Sequence, residues 1–144
     1  MYDDILVPTD GGEQMGTVID AAIDTATRQG ATVHALSVID RDVFLTLDDG
    51  LTDAVDDELA TNAERAVEAV TEAAAAAGLE SRSAVRRGRP GEEILAYADE
   101  IGADLVVMGT RGADGHGRRM LGSVSQDVIT ETNRRTLVVP IGAE

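Results

Sequence analysis

Short apolar segments alternate along the chain with longer amphipathic segments, and this alternation constrains the fold more than any other feature. The short segments are typical of buried strands, and the longer ones have the spacing of helices with one apolar face. The predicted strands cover 5–7, 32–39, 81–87, 105–108 and 136–140, and the predicted helices cover about 13–29, 53–77, 92–101 and 123–133. Strands joined by crossover helices form parallel sheets. We therefore predict an α/β fold, a three-layer doubly wound, mainly parallel five-stranded sheet with helices on both faces.

The length and composition predict one globular unit. A chain of 144 residues with 43% hydrophobic residues is enough for one core, and no linker or internal repeat interrupts it, so we expect one domain over 1–144. The start, MYDDILVPTD, lacks the basic and apolar regions of a signal peptide, and no apolar run could span a bilayer. We expect a cytoplasmic protein.

The charged residues exclude several classes of function. All 12 basic residues are arginine, and the formal net charge is −15. Without lysine there is neither a P-loop nor a Schiff-base enzyme, and without cysteine there is neither a disulfide nor a thiolate nucleophile. The negative charge and the few aromatic residues oppose binding to nucleic acid or to an anionic membrane. A Lys-free, Asp-rich surface is typical of proteins from salt-loving organisms, and we expect a halophilic archaeal source.

Two segments at predicted strand ends carry unusual chemistry. In parallel α/β sheets, ligands bind beyond the carboxyl ends of the strands, where the strand order reverses. The first segment is Pro8-Thr9-Asp10-Gly11-Gly12. The second segment runs from Gly109 to Ser125 and contains several glycines together with Arg111, Arg118 and Arg119.

The second segment has the features of a phosphate site. Glycines let backbone N–H groups approach a ligand without an intervening Cβ atom. We predict that Gly122 and Ser123 lie immediately before the last helix, with Ser123 as its N-cap, so that the first amides of the helix face an anion. The arginines add positive charge, and together these features predict phosphate binding.

The glycine spacing of the second segment resembles that of the ATP-binding universal stress proteins. The matching pattern is Gly109, two residues, Gly112, nine residues and Gly122-Ser123. The resemblance covers essentially the whole chain, because ILVPTDGG is similar to the first strand and turn of the family, and 37–40, 104–109 and 136–140 are similar to later strand segments. The family implies an adenine nucleotide alpha hydrolase-like, Rossmann-like fold.

The resemblance also implies which residues hold ATP, ADP or AMP. The first turn and Val38 would contact the adenosine, with Asp10 nearest the adenine and ribose, and 109–112 and 122–125 would approach the ribose and phosphates. The implied residues are Pro8, Thr9, Asp10, Val38, Gly109, Arg111, Gly112, Gly122, Ser123, Val124 and Ser125. Mg²⁺ or Mn²⁺ would be held mainly by the phosphates and water, and Arg118 and Arg119 would add positive charge.

The last strand is expected at an edge of the sheet. It contains Leu137-Val138-Val139, an apolar run that needs covering at such an edge. In the family this strand commonly pairs with its counterpart in a second subunit, so the resemblance implies a homodimer.

Other functions fit the sequence less well. Hydrolysis needs a group that orients water against the γ-phosphate, and because neither Asp114 nor Asp127 is supported in that role, we assign no catalytic residue and expect at most a weak ATPase. A receiver domain needs a lysine, dinucleotide binding needs GxGxxG after the first strand, and His34 and His116 do not indicate a metal site. The alternative left open is a stress-related interaction module that acts through its dimer and surface without nucleotide.

Overall fold

The computed structural model describes residues 2–12, 14–40, 49–109 and 119–140. Its elements are β1 (Asp4–Pro8), α1 (Met15–Gln29), β2 (Thr32–Asp40), α2 (Asp49–Ala76), β3 (Ser81–Gly88), α3 (Pro90–Ile101), β4 (Leu105–Gly109), α4 (Arg119–Glu131) and β5 (Arg135–Val139). The strands form one parallel sheet in the order β3-β2-β1-β4-β5. The predicted five-stranded parallel sheet is confirmed, and β5 lies at an edge as expected.

The helices cover both faces of the sheet, as predicted. Successive side chains of a strand point to opposite faces. On β3, Arg86 pairs with Glu100 of α3, whereas the next residue, Arg87, pairs with Asp56 of α2. Because α1 packs against α2 and α3 packs against α4, each face carries one helix pair. The central strands β1 and β4 are buried almost throughout, which explains why their sequences are apolar without alternation.

Helices α2, α3 and α4 begin earlier than the sequence predicts, with α3 starting at Pro90 instead of at about residue 92. Helix α2 begins at Asp49 instead of at residue 53. Acidic residues in the first turns of α2 favour this start, because their negative charges are attracted to the positive, amino-terminal end of the helix dipole. Helix α4 begins at Arg119 instead of at Ser123, which corrects the prediction that Gly122 and Ser123 precede it.

The early start of α4 follows from its apolar stripe. Val124 and Val128 are buried, and Met120 stands four residues before Val124, so the helical spacing continues before Gly122. A glycine inside a helix costs only about 1 kcal/mol relative to alanine, which such packing can offset. In contrast, α1 ends as predicted at Gln29, and Gly30 caps it with a left-handed φ of 69° and an N–H that donates to the Ala26 carbonyl.

A cation and an aromatic ring fix α3 on the sheet. The guanidinium of Arg86 lies 4.7 Å from the centre of the Tyr97 ring and donates two hydrogen bonds of 2.6 and 2.7 Å to Glu100. The hydrogen bond from Arg86 holds the pKa of Glu100 below its ordinary value. Exposed ion pairs contribute little to stability, so the main effect of this cluster is to orient α3. No helix among the described residues is long and apolar enough to cross a membrane.

Asp104 joins the amino ends of β1 and β4. Its Oδ2 atom accepts backbone hydrogen bonds from Asp3 at 2.8 Å and from Asp4 at 3.0 Å. Its own N–H donates to the Asp4 carbonyl at 2.8 Å. These backbone donors lower the pKa of Asp104, because they stabilise the ionised carboxylate. The side chain of Asp104 therefore reinforces the backbone pairing of these two strands at their amino ends.

We expect Asp104→Asn to lower the free energy of unfolding by about 1–2 kcal/mol at pH 7, because charge-assisted hydrogen bonds are lost. The pKa of Asp104 is lower in the folded chain than in the unfolded chain, so its contribution is present above the unfolded pKa and is lost as the pH falls through the folded pKa. Urea unfolding at neutral and acidic pH measures both effects. Asp20→Asn, at an exposed position of α1, is the control. An equal loss at both pH values would contradict the role of the charge.

Candidate functional site

The strand order reverses between β1 and β4, which places the candidate site at their carboxyl ends. The two strands pair in parallel, with Ile5 opposite Leu105 and Leu6 opposite Val106. Strand β1 also pairs with β2 on its other side, so the strand order reverses at β1, and in parallel sheets ligands bind at such a reversal. Both segments singled out in the sequence begin at this edge.

A narrow cleft lies at this edge and brings five of the predicted binding residues together. We call it the strand-end cleft, and its lining residues are Pro8, Thr9, Asp10, Leu36, Val38, Pro90, Ile94 and Val124. The predicted residues among them come from three separate parts of the chain: the end of β1 with the turn that follows it, the carboxyl end of β2, and the helix α4. They are distant in sequence and meet only through the fold.

The strand-end cleft has apolar walls and one polar end. Leu36, Ile94 and Val124 are buried side chains, and Thr9 and Asp10 supply the polar groups. Such a slot suits a flat ring with hydrogen-bonding groups on its rim. Its volume is about 20 Å³, which is near the minimum for one water molecule. A ring the size of a nucleobase fits only after the walls separate.

The turn after β1 fixes the polar end of the strand-end cleft. The N–H of Thr9 donates to the Leu36 carbonyl at 2.8 Å, which continues the pairing of β1 with β2. Two further hydrogen bonds stabilise the turn. The N–H of Gly11 donates to Thr9 Oγ1 at 3.1 Å, and the N–H of Gly12 donates to Asp10 Oδ1 at 2.9 Å. Asp10 is therefore both a turn residue and part of the cleft wall.

Gly11 is required in this turn for two reasons. Its φ of 77° is left-handed, and a Cβ atom there would lie 3.2 Å from the Cβ of Ala66 on α2. Any residue with a side chain would strain the backbone and press against α2. The sequence element Asp10-Gly11-Gly12 thus holds α2 close to the strand end.

A wider cavity lies on the other side of the same turn, between α1 and α2. Its volume is about 430 Å³, and it shares Thr9 and Asp10 with the strand-end cleft. Met15 and Ile19 supply apolar surface, and Arg65 supplies a positive charge. Of the predicted binding residues whose side chains the structure describes, no others line it.

The remaining predicted residues belong to the glycine-rich segment. Gly109 is the buried last residue of β4. Arg111 and Gly112 lie outside the described residues. Gly122, Ser123 and Ser125 lie within the first two turns of α4, so Ser123 is not the N-cap of this helix. The amides without a partner in a helix are those of its first turn, and here that turn begins at Arg119.

Three residues of the strand-end cleft were not predicted: Leu36, Pro90 and Ile94. Leu36 stands two positions before Val38 on the same strand, so the two side chains share a face. Pro90 and Ile94 are four residues apart and therefore share a face at the start of α3. The sequence feature that could have identified the start of α3 as part of the cleft is the turn Gly88-Arg89-Pro90-Gly91, because this turn starts a helix at the same edge of the sheet.

The described residues form no cluster of three or more His, Asp or Glu side chains suited to a metal ion. His34 is buried in β2, where Nε2 lies 2.9 Å from Asp4 Oδ1.

Comparisons with known proteins agree on one family. The universal stress protein family model matches residues 1–140. Universal stress protein MJ0531 from Methanocaldococcus jannaschii is 33% identical over 140 residues, which cover 96% of this chain and 82% of the relative. The solved structure of MJ0577, from the same organism, has a TM-score of 0.81 and 28% identity, covering 97% and 96% of the two chains. A universal stress protein in complex with cAMP has a TM-score of 0.70 and 26% identity, covering 96% and 97%.

We expect Gly11→Ala to lower the free energy of unfolding by about 1–2 kcal/mol, because alanine resists the left-handed conformation. Gly16→Ala, on α1, is the matched control, since a Cβ atom there meets nothing within 4 Å. This control should stabilise the protein by roughly 0.5–1 kcal/mol. Urea unfolding measures both variants, and equal effects would show that the turn does not need glycine.

Proposed function

The chain belongs to the universal stress protein family, and we propose that it binds ATP, ADP or AMP and acts in the cytoplasm as a regulatory or stress-response protein. One observation carries this proposal. Five residues predicted to contact the nucleotide come from three elements and line a single apolar cleft with a polar end, beside the reversal in strand order. A related universal stress protein in complex with cAMP, itself an adenine nucleotide, supports the same ligand class.

In this proposal the base enters the strand-end cleft, between Pro8, Val38 and Val124. The ribose lies toward Asp10, whose carboxylate is already held by the turn through one oxygen. The phosphates extend along the glycine-rich segment, and their proposed contacts are Gly109, Arg111, Gly112, Gly122, Ser123 and Ser125. A bound Mg²⁺ or Mn²⁺ would neutralise part of the phosphate charge while held mainly by the phosphates and water.

We propose binding and not turnover as the function. Hydrolysis of ATP needs a group that positions water for attack on the γ-phosphate. Asp127, one candidate from the sequence, is an exposed residue of α4 that lies against Gly91 of α3. A carboxylate in that place serves the contact between the helices, and we expect at most slow hydrolysis.

The proposal includes a homodimer formed through β5. This strand is an edge of the sheet, and Leu137 on it is 38% exposed. Ile129, on the helix that precedes β5, is 48% exposed. An exposed apolar edge strand is stabilised by pairing with another strand, and a second copy of the chain supplies one.

The nucleotide proposal is tested with Val38→Phe, which fills the strand-end cleft. We expect it to weaken ATP binding at least about tenfold, measured by calorimetry with Mg²⁺ in about 1 M KCl, where charges are screened within about 3 Å. Val85→Phe is the matched control, because Val85 is an exposed valine of the neighbouring strand β3. It should leave binding unchanged. Failure of the wild type to bind ATP, ADP or AMP would favour the alternative, an interaction module without nucleotide.

The dimer is tested with Leu137→Lys, which places a charge on the proposed interface. We expect light scattering to give the mass of a dimer for the wild type and of a monomer for the variant, because pairing would bury the lysine. Val85→Lys is the control, since Val85 is 37% exposed on the opposite edge strand. A monomeric wild type, or dissociation by both variants, would contradict a dimer built on β5.

A further inference from the structure

Helices α3 and α4 approach each other closely at a glycine. Gly91 is buried in the first turn of α3. A Cβ atom at this position would lie 3.2 Å from the Cβ of Asp127 on α4 and 3.4 Å from its Oδ2 atom. The carboxylate could rotate away from an added methyl group, but the Cβ of Asp127 is fixed by the backbone of α4. An alanine at position 91 therefore requires α3 and α4 to move apart by a few tenths of an ångström.

This contact lies directly beside the strand-end cleft. Pro90 precedes Gly91, Ile94 follows it by three residues, and both are cleft walls. Val124, the wall contributed by α4, stands one helical turn before Asp127. The helical turns that meet at Gly91 and Asp127 thus contain three of the residues that line the cleft. A change in the gap between α3 and α4 changes the width of the cleft.

The width of the cleft decides whether a base can enter. The volume of the strand-end cleft is about 20 Å³, so a base enters only after the walls of the cleft, which include residues of α3 and α4, separate. We infer that the contact between Gly91 and Asp127 sets this separation, which makes Gly91 a positioning residue that keeps the cleft closed in the absence of ligand. The inference rests on the proposed function, because it concerns the same site and the same base.

A closed cleft lowers the apparent affinity for a ligand in proportion to the fraction of molecules that are open. Gly91→Ala should therefore open the cleft in advance and bind ATP about threefold more tightly than the wild type, by the same relation. The double variant Gly91→Ala with Asp127→Gly removes the opposing Cβ and should return the affinity to that of the wild type. Gly16→Ala is the matched control, because its added methyl group meets open space on α1, and it should leave the affinity unchanged.

A second measurement follows the cleft itself and does not need a ligand. Nuclear Overhauser effects between the methyl groups of Ile94 and Val124 report the distance across the cleft. They should weaken in Gly91→Ala and recover in the double variant. If these nuclear Overhauser effects are unchanged in Gly91→Ala, the inference is overturned whether or not ATP binds.

The two measurements separate this inference from the proposed function. One outcome is that the nuclear Overhauser effects weaken in Gly91→Ala while ATP binding is unchanged or weaker. In that case the contact between Gly91 and Asp127 sets the distance between α3 and α4, but this distance does not limit binding, and the inference is wrong. If the wild type binds no ATP, ADP or AMP, the proposed function fails together with the part of the inference that concerns the base. The methyl measurement then still decides whether Gly91 sets the gap.

Discussion

Hydrogen bonding between β1 and β4 joins the two halves of the sheet, and both the core and the candidate site depend on it. At the amino ends, the carboxylate of Asp104 accepts the amides of Asp3 and Asp4 and so fixes how the two strands start. At the carboxyl ends, the same pairing sets the last residues of β1 and β4 side by side, where the turn after β1 begins. Because strands are stiff over this length, a network far from any ligand positions the residues that would contact one.

The closed cleft follows from the same packing that stabilises the core. Leu36, Ile94 and Val124 are apolar, and exposing them to water would cost about 25 cal/mol for each Å². Without a ring between them, these side chains cover one another. A ligand must therefore offer more contact than the walls already provide, so affinity depends on the difference between two packed states. The close approach of α3 and α4 at Gly91 favours the empty state, and groups on the rim, such as Asp10, can favour the filled one.

Most of the fold could be predicted from the sequence, because strands and helices differ in the period of their apolar residues. The start of α4 could not, since Gly122 and Ser123 carry a local signal for a helix start while Met120 and Val124 continue the apolar stripe across it. The helix that forms follows the apolar spacing and not the local signal. The residues of α3 that line the strand-end cleft were not predicted from the sequence, for a different reason. How a helix crosses a sheet depends on contacts between residues distant in sequence, such as that between Arg86 and Tyr97. Pro8, Asp10 and Val38 were predicted from family resemblance, and their assembly into one cleft required the fold.

The net charge of −15 raises a physical question about a site proposed for a polyanion. Repulsion from distant carboxylates acts through solvent and falls off over about 10 Å at 0.1 M salt and about 3 Å at 1 M. Contacts between a phosphate and a backbone amide or an arginine act at hydrogen-bond distance, where little solvent intervenes. Concentrated salt thus removes most of the repulsion while it leaves these contacts largely intact. An acidic surface and an anion site are compatible in one chain because they act over different distances.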